Sequence, residues 1–91
     1  MTHLIEVLNM IDDFLSGTYE PFAFSADLPG CLCEYYDDMY SENSAITKIL
    51  NDELPEICAD YEPGFDPAPF MVAVKREYER ALVAAQEHQS P

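Results

Sequence analysis

The residues of this chain whose spacing could do chemistry are carboxylates. Glu34, Asp38 and Glu42 recur at steps of four with Asp37 beside them, and Asp52, Glu56 and Asp60 repeat that spacing with Glu53 adjacent. Steps of four put side chains on one face of a helix, so each set forms a charged stripe. Glu62 and Asp66 carry the series into a proline-rich stretch. Like charges at this spacing oppose their own helix by about 0.2–0.5 kcal/mol per pair. The one base among them, Lys48, stands four residues before Asp52, the less favourable orientation. Acids left unrelieved in this way suit recognition of a cationic partner, since interspersed bases would remove the repulsion. An ordinary solvated face also carries such runs and stays the competing reading. Tyrosines interleave with the acids. Tyr35 and Tyr61 lie on apolar stripes, whereas Tyr36 and Tyr40, one turn apart, lie off them; they could offer rings to Arg or Lys for about 0.5–2 kcal/mol each or serve as half-buried helix packing, the reading favoured for Tyr36.

The whole-chain charge points the same way. Eighteen Asp and Glu oppose four Lys and Arg, a net −14 over 91 residues. Residues 1 to 66 hold fifteen of the acids and a single base, while residues 67 to 91 are balanced at three of each. A surface this anionic repels nucleic acid and anionic membrane within the Debye length, which sets direct binding to either aside. A chain of this length has room for one domain, expected to span 1–91. The apolar share of 48%, with six Tyr and five Phe, is enough for a buried core. No apolar run reaches 18 residues, and the start lacks a basic region before Glu6, so the chain is expected to be cytoplasmic.

Catalytic and metal-binding patterns are weak. His3 and His88 stand at opposite ends, and Cys31, Cys33 and Cys58 form no Cys-x-x-Cys pair, so zinc is not expected. The cysteines are expected to be reduced and mostly buried. Asp60-x-Glu62-x-Gly64-x-Asp66 has the look of a calcium loop, but its glycine is displaced and Met71 stands where the closing acid is needed. No glycine-rich phosphate loop or Gly-x-Ser-x-Gly nucleophile occurs. An acyl carrier would need an Asp-Ser-Leu motif, and none of the serines has that context. The expectation is a binding protein, with no enzyme activity and no cofactor.

The elements that must position these residues read as helices throughout. Leu4, Leu8, Ile11 and Leu15 mark a first helix from a Thr2 cap to Ser16, with Gly17 as its left-handed terminator. Leu28, Leu32, Tyr35 and Met39 mark a second, capped by Ser25 or Asp27 with Pro29 in its first turn and ending near Glu42 and Asn43. Ser44 caps a third through Ile46, Leu50, Leu54, Ile57 and Tyr61, with a kink or break expected at Pro55. After the loop at 62–69, Asp66 and Pro67 open a fourth that reaches Gln86 or His88 and pairs Lys75 with Glu79. The fold expected is all-α, a small antiparallel four-helix bundle, with residues 87–91 frayed.

Several short motifs carry a resemblance. Phe24-Ser25, the run Ile49 to Leu54, Ala59 to Pro63 followed by Gly64 and Asp66, and Val72-x-Val74-Lys75 with Glu79 together resemble the colicin D immunity family. That family includes immunity proteins of contact-dependent growth inhibition systems. The resemblance implies a helical bundle that binds the nuclease domain of a cognate bacterial toxin, commonly a tRNase, and covers its basic RNA-binding surface. It also implies that Glu62, with Asp60 and Asp66 beside it, meets toxin lysines. Gly64 departs from the pattern, standing where the colicin D relative has an acid. Adding the helical acids, with Tyr40 as an aromatic anchor, gives the expected toxin-binding set: Glu34, Asp37, Asp38, Tyr40, Glu42, Asp52, Glu56, Asp60, Glu62 and Asp66. A DNA mimic or an acidic adaptor for another basic protein is the alternative.

Overall fold

The computed structural model describes residues 3–89, with side-chain surroundings through residue 86. They fold into five helices: α1 (His3–Ser16), α2 (Pro21–Glu34), α3 (Tyr36–Glu42), α4 (Ser44–Asp60) and α5 (Pro67–Gln89). The all-α expectation holds, with no strand among the described residues. The helix count does not, because the second helix of the sequence reading is two.

Each boundary has a local cause. The Thr2 cap expected for α1 lies outside the described residues; at this end the Glu42 carboxylate accepts the Leu4 N–H at 3.3 Å. Gly17, at φ 91°, ends the helix in a conformation that side chains resist, and Thr18 N–H folds back to the Asp13 carbonyl at 2.9 Å.

The start of α2 corrects the sequence reading. Glu20, not Ser25 or Asp27, is the cap: its side chain accepts the Ala23 N–H at 2.7 Å, and Pro21 takes the first helical position. Pro29 therefore lies inside the helix. Ser25 is buried, its hydroxyl bonded to the Phe22 carbonyl at 2.7 Å.

Tyr35, at φ −102° and ψ 9°, leaves the helical region and separates α2 from α3. Its ring stacks on His3 at 4.1 Å, tying this bend to the start of α1. Asn43, one residue before the expected Ser44, caps α4 by accepting the Ile46 N–H at 3.1 Å.

Pro55 does not break α4. Its ring fixes a φ that suits a helix. The carbonyl it leaves without a partner belongs to the exposed Asn51, where water can satisfy it. Leu50, Leu54 and Cys58 stay buried on either side and hold the register. Asp66 caps α5 as expected, accepting the Ala68 N–H at 3.0 Å, and the helix continues to Gln89.

The core runs through all five helices. α4 packs against α2, α3 and most extensively α5, and α1 packs against α2, α3 and α5. Phe14 stacks on Phe24 at 4.2 Å and meets Phe70 at 4.9 Å, so α1, α2 and α5 share one aromatic cluster. Burial of each such ring contributes about 1.5–3 kcal/mol. The cysteine expectation is corrected in part: Cys58 is buried, Cys31 is half-buried and Cys33 is exposed, all as free thiols.

Candidate functional site

The acids singled out from the sequence fall into three settings. The first surrounds the start of α1. Asp38 and Glu6 lie 3.5 Å and 3.7 Å from the two ring nitrogens of His3, and Glu42 turns inward to hold the Leu4 amide. Glu42 is accordingly half-buried, while Glu34 and Asp37 are exposed. The bend at Tyr35 also changes the energetics. Asp37 and Asp38 occupy the first turn of α3, where the helix dipole favours an anion. Their stripe is less costly than one unbroken helix would make it.

The second setting is the solvent edge of α4. Asp52, Glu53, Glu56 and Asp60 are all exposed, and no base occupies the last turn of that helix. The dipole therefore works against Asp60. Glu53 meets Arg76 of α5 at 4.0 Å, and it is the one acid before residue 67 within ion-pair reach of a Lys or Arg among the described residues.

The third setting is where α4 ends and α5 begins, and here two predicted residues are brought together. Asp60 and Asp66 both line an open groove of about 460 Å³, together with Ile57, Tyr61, Phe65, Pro69, Phe70 and Ala73. Tyr61 stacks on Phe70 at 4.6 Å and meets Phe65 edge-on at 6.5 Å. The Tyr61 hydroxyl donates to the Phe65 carbonyl at 3.3 Å, and the Phe65 N–H donates to the Glu62 carbonyl at 3.1 Å. Gly64, at φ 94°, supplies the left-handed residue that this turn requires. Phe65 is thus 54% exposed yet fixed by its neighbours. Glu62 is exposed in the same turn but does not line the groove.

Tyr40 is 42% exposed, and Lys48 of the chain itself lies over its ring at 5.7 Å. Tyr36 is half-buried beside it at 5.9 Å. Any cation approaching Tyr40 competes with Lys48.

Three of the four bases lie on α5, and two are engaged with one acid that sequence reasoning missed. Glu77 is 1% exposed, with Arg76 at 3.1 Å and Arg80 at 2.5 Å. The signal was present: Arg76 and Arg80 sit one before and three after it, and Glu77 lies in register with Phe70, Val74 and Ala81. The Lys75–Glu79 pair expected on this helix is not among the ion pairs of the described residues. Arg76 and Arg80 are therefore held on the α5 side, away from the acids of α2 and α3.

Tyr19 donates to Asp27 at 2.5 Å, and that hydrogen bond to a carboxylate pushes its phenol up to about 12. Burial pushes the Cys58 thiol up to about 12, so it is protonated and unreactive at neutral pH. No group of three or more metal-ligating side chains occurs among the described residues, and no described helix is long and apolar enough to cross a membrane. No family model, curated protein or solved structure matches this chain.

Proposed function

We propose that this protein is an immunity protein that binds a basic nuclease toxin domain, of the tRNase kind the sequence resemblance implies, and blocks it without doing chemistry of its own. One observation carries the reading. The acids of residues 1 to 66 are almost all solvent-facing, and of them only Glu53 lies within ion-pair reach of a described Lys or Arg. An anionic surface left open in this way steers a lysine-rich enzyme toward it and occupies the ground that RNA phosphates would take.

The scaffold we infer is an antiparallel bundle. Glu53 opposite Arg76, and Ile57 sharing a groove with Ala73, support opposite senses for α4 and α5. In this reading Asp60, Glu62 and Asp66 meet the toxin together with Asp52 and Glu56, while Glu34, Asp37, Asp38 and Glu42 extend the field along the other edge. Glu42 contributes least, because one of its oxygens already holds α1.

The test is to identify the gene upstream of this one and, where it encodes a secreted toxin, to co-express the C-terminal domain of that toxin with this protein and assay tRNA cleavage. Stoichiometric protection is expected. Replacing Asp60, Glu62 and Asp66 together with Ala is expected to slow association and weaken protection while helical content by circular dichroism stays unchanged. An unaltered inhibition constant for that variant would count against the proposal, and displacement by any duplex DNA would favour the DNA-mimic alternative.

A further inference from the structure

We infer that the groove between the end of α4 and the start of α5 is the seat for an arginine side chain of a basic protein partner. The inference rests on the reading that the partner is basic and specifies the one contact at which it is anchored.

Two features of different kinds meet in this groove. Its lining is mostly apolar and aromatic, with Tyr61 in ring contact with both Phe65 and Phe70, and it includes two exposed acids, Asp60 and Asp66. Neither acid has a Lys or Arg within ion-pair distance among the described residues. Asp66 spends one oxygen on the Ala68 amide.

Charge complementarity selects the occupant. A purely apolar side chain would bring a partner's surface down between two carboxylates and desolvate them with no compensating cation. An anion is repelled. A lysine satisfies the charge, but its ammonium is compact and strongly hydrated and makes poor use of flat ring walls. An arginine fits both features, because its stem and planar guanidinium lie against aromatic faces while its forked N–H groups reach carboxylate oxygens. The walls are also preorganised. The Tyr61 hydroxyl and the Glu62 carbonyl fix the segment that carries Phe65, so little order is left to impose on binding.

The experiment is a titration of the ¹⁵N-labelled protein with three blocked tripeptides, Gly-Arg-Gly, Gly-Lys-Gly and Gly-norleucine-Gly, followed by amide shifts. The arginine peptide is expected to move Ile57, Asp60, Tyr61, Phe65 and Ala73, with an affinity about threefold to tenfold above that of the lysine peptide. The norleucine peptide is expected to leave them in place. Asp60→Asn with Asp66→Asn, in which Asn still caps α5, and separately the exposed Phe65→Ala, should each abolish the arginine preference.

Shifts confined to the acids of α3 and to Asp52 would overturn the groove while leaving an acidic docking surface intact. Equal binding of arginine and lysine peptides, or no shift at the groove, would overturn it as well. If the groove binds arginine as described and the protein fails to protect tRNA from the toxin domain, the nuclease reading falls and this inference stands.

Discussion

Glu77 places a carboxylate in the core stripe of α5, with both its oxygens held by arginines that are themselves half-exposed. Removing a buried acid leaves a cavity and two guanidinium groups without their partner. Because those groups reach water, the expected cost of Glu77→Ala is about 2–3 kcal/mol, below the range for a fully buried pair. Glu77→Met, which fills the space and needs no cation, is expected to cost about 1 kcal/mol or less. Urea unfolding of the two variants checks the order, and a methionine variant less stable than the alanine one would refute it. Tyr19 and Cys58 make a pH prediction. Both acids have folded values of about 12, above the ordinary 10.0 and 9.0, so the folded state keeps protons that the unfolded state releases. The stability they contribute is complete below pH 9 and is lost as pH rises through 12. Asp27→Asn should bring the Tyr19 phenol back toward its ordinary value, seen as an earlier rise in tyrosinate absorbance on alkaline titration. The sequence contained the Arg76, Glu77 and Arg80 spacing but not the depth at which Glu77 sits, because periodicity marks a stripe and burial depends on what covers it.

At the scale of elements, α4 tolerates Pro55 because packing outweighs a local penalty. A proline inside a helix is about 3 kcal/mol less favourable than alanine, and its rigidity in the unfolded chain offsets part of that. Pro55→Ala is therefore expected to stabilise the protein by about 1–2 kcal/mol and raise the unfolding temperature by about 4–8 °C per kcal/mol, measured by calorimetry. Asn43→Ala removes the cap of the same helix and should lower stability by about 1 kcal/mol. Caps with strong chemistry, such as Gly17 and the Asp66-Pro67 pair, were legible in the sequence. The bend at Tyr35 was not, since Leu28, Leu32, Tyr35 and Met39 keep helical register straight through it. Its stacking partner, His3, comes from the start of α1, far outside the reach of helical spacing. The bend matters for the site because it turns Asp37 and Asp38 into first-turn residues of α3.

For the whole molecule, a net charge of −14 is spread over a body 45 × 23 × 21 Å across, with Arg76 and Arg80 gathered at Glu77. Self-repulsion on this scale is within reach of salt, whose screening length falls from about 30 Å at 0.01 M to about 8 Å at 0.15 M. Raising sodium chloride over that interval is expected to increase resistance to urea, whereas a protein held mainly by surface ion pairs would lose it. The same screening should slow association with a basic partner and leave its dissociation nearly unchanged, a split readable by stopped-flow mixing at two salt concentrations. Stability and binding thus respond to salt with opposite sign, which follows if the carboxylates face solvent instead of pairing with one another's counterions.

By itself the sequence determined the all-helical class, the four stretches of apolar period, the loop before α5 and the confinement of the excess charge to residues 1–66. These follow from local chemistry, in which each residue answers to neighbours three or four positions away. Only the tertiary structure decided that Glu42 holds α1, that Lys48 covers Tyr40, that Glu77 is buried, and that Asp60 and Asp66 line one aromatic groove. Each of those depends on which helix lies against which, a matter of how the whole chain buries its apolar faces at once. Spacing along a single helix carries no record of it.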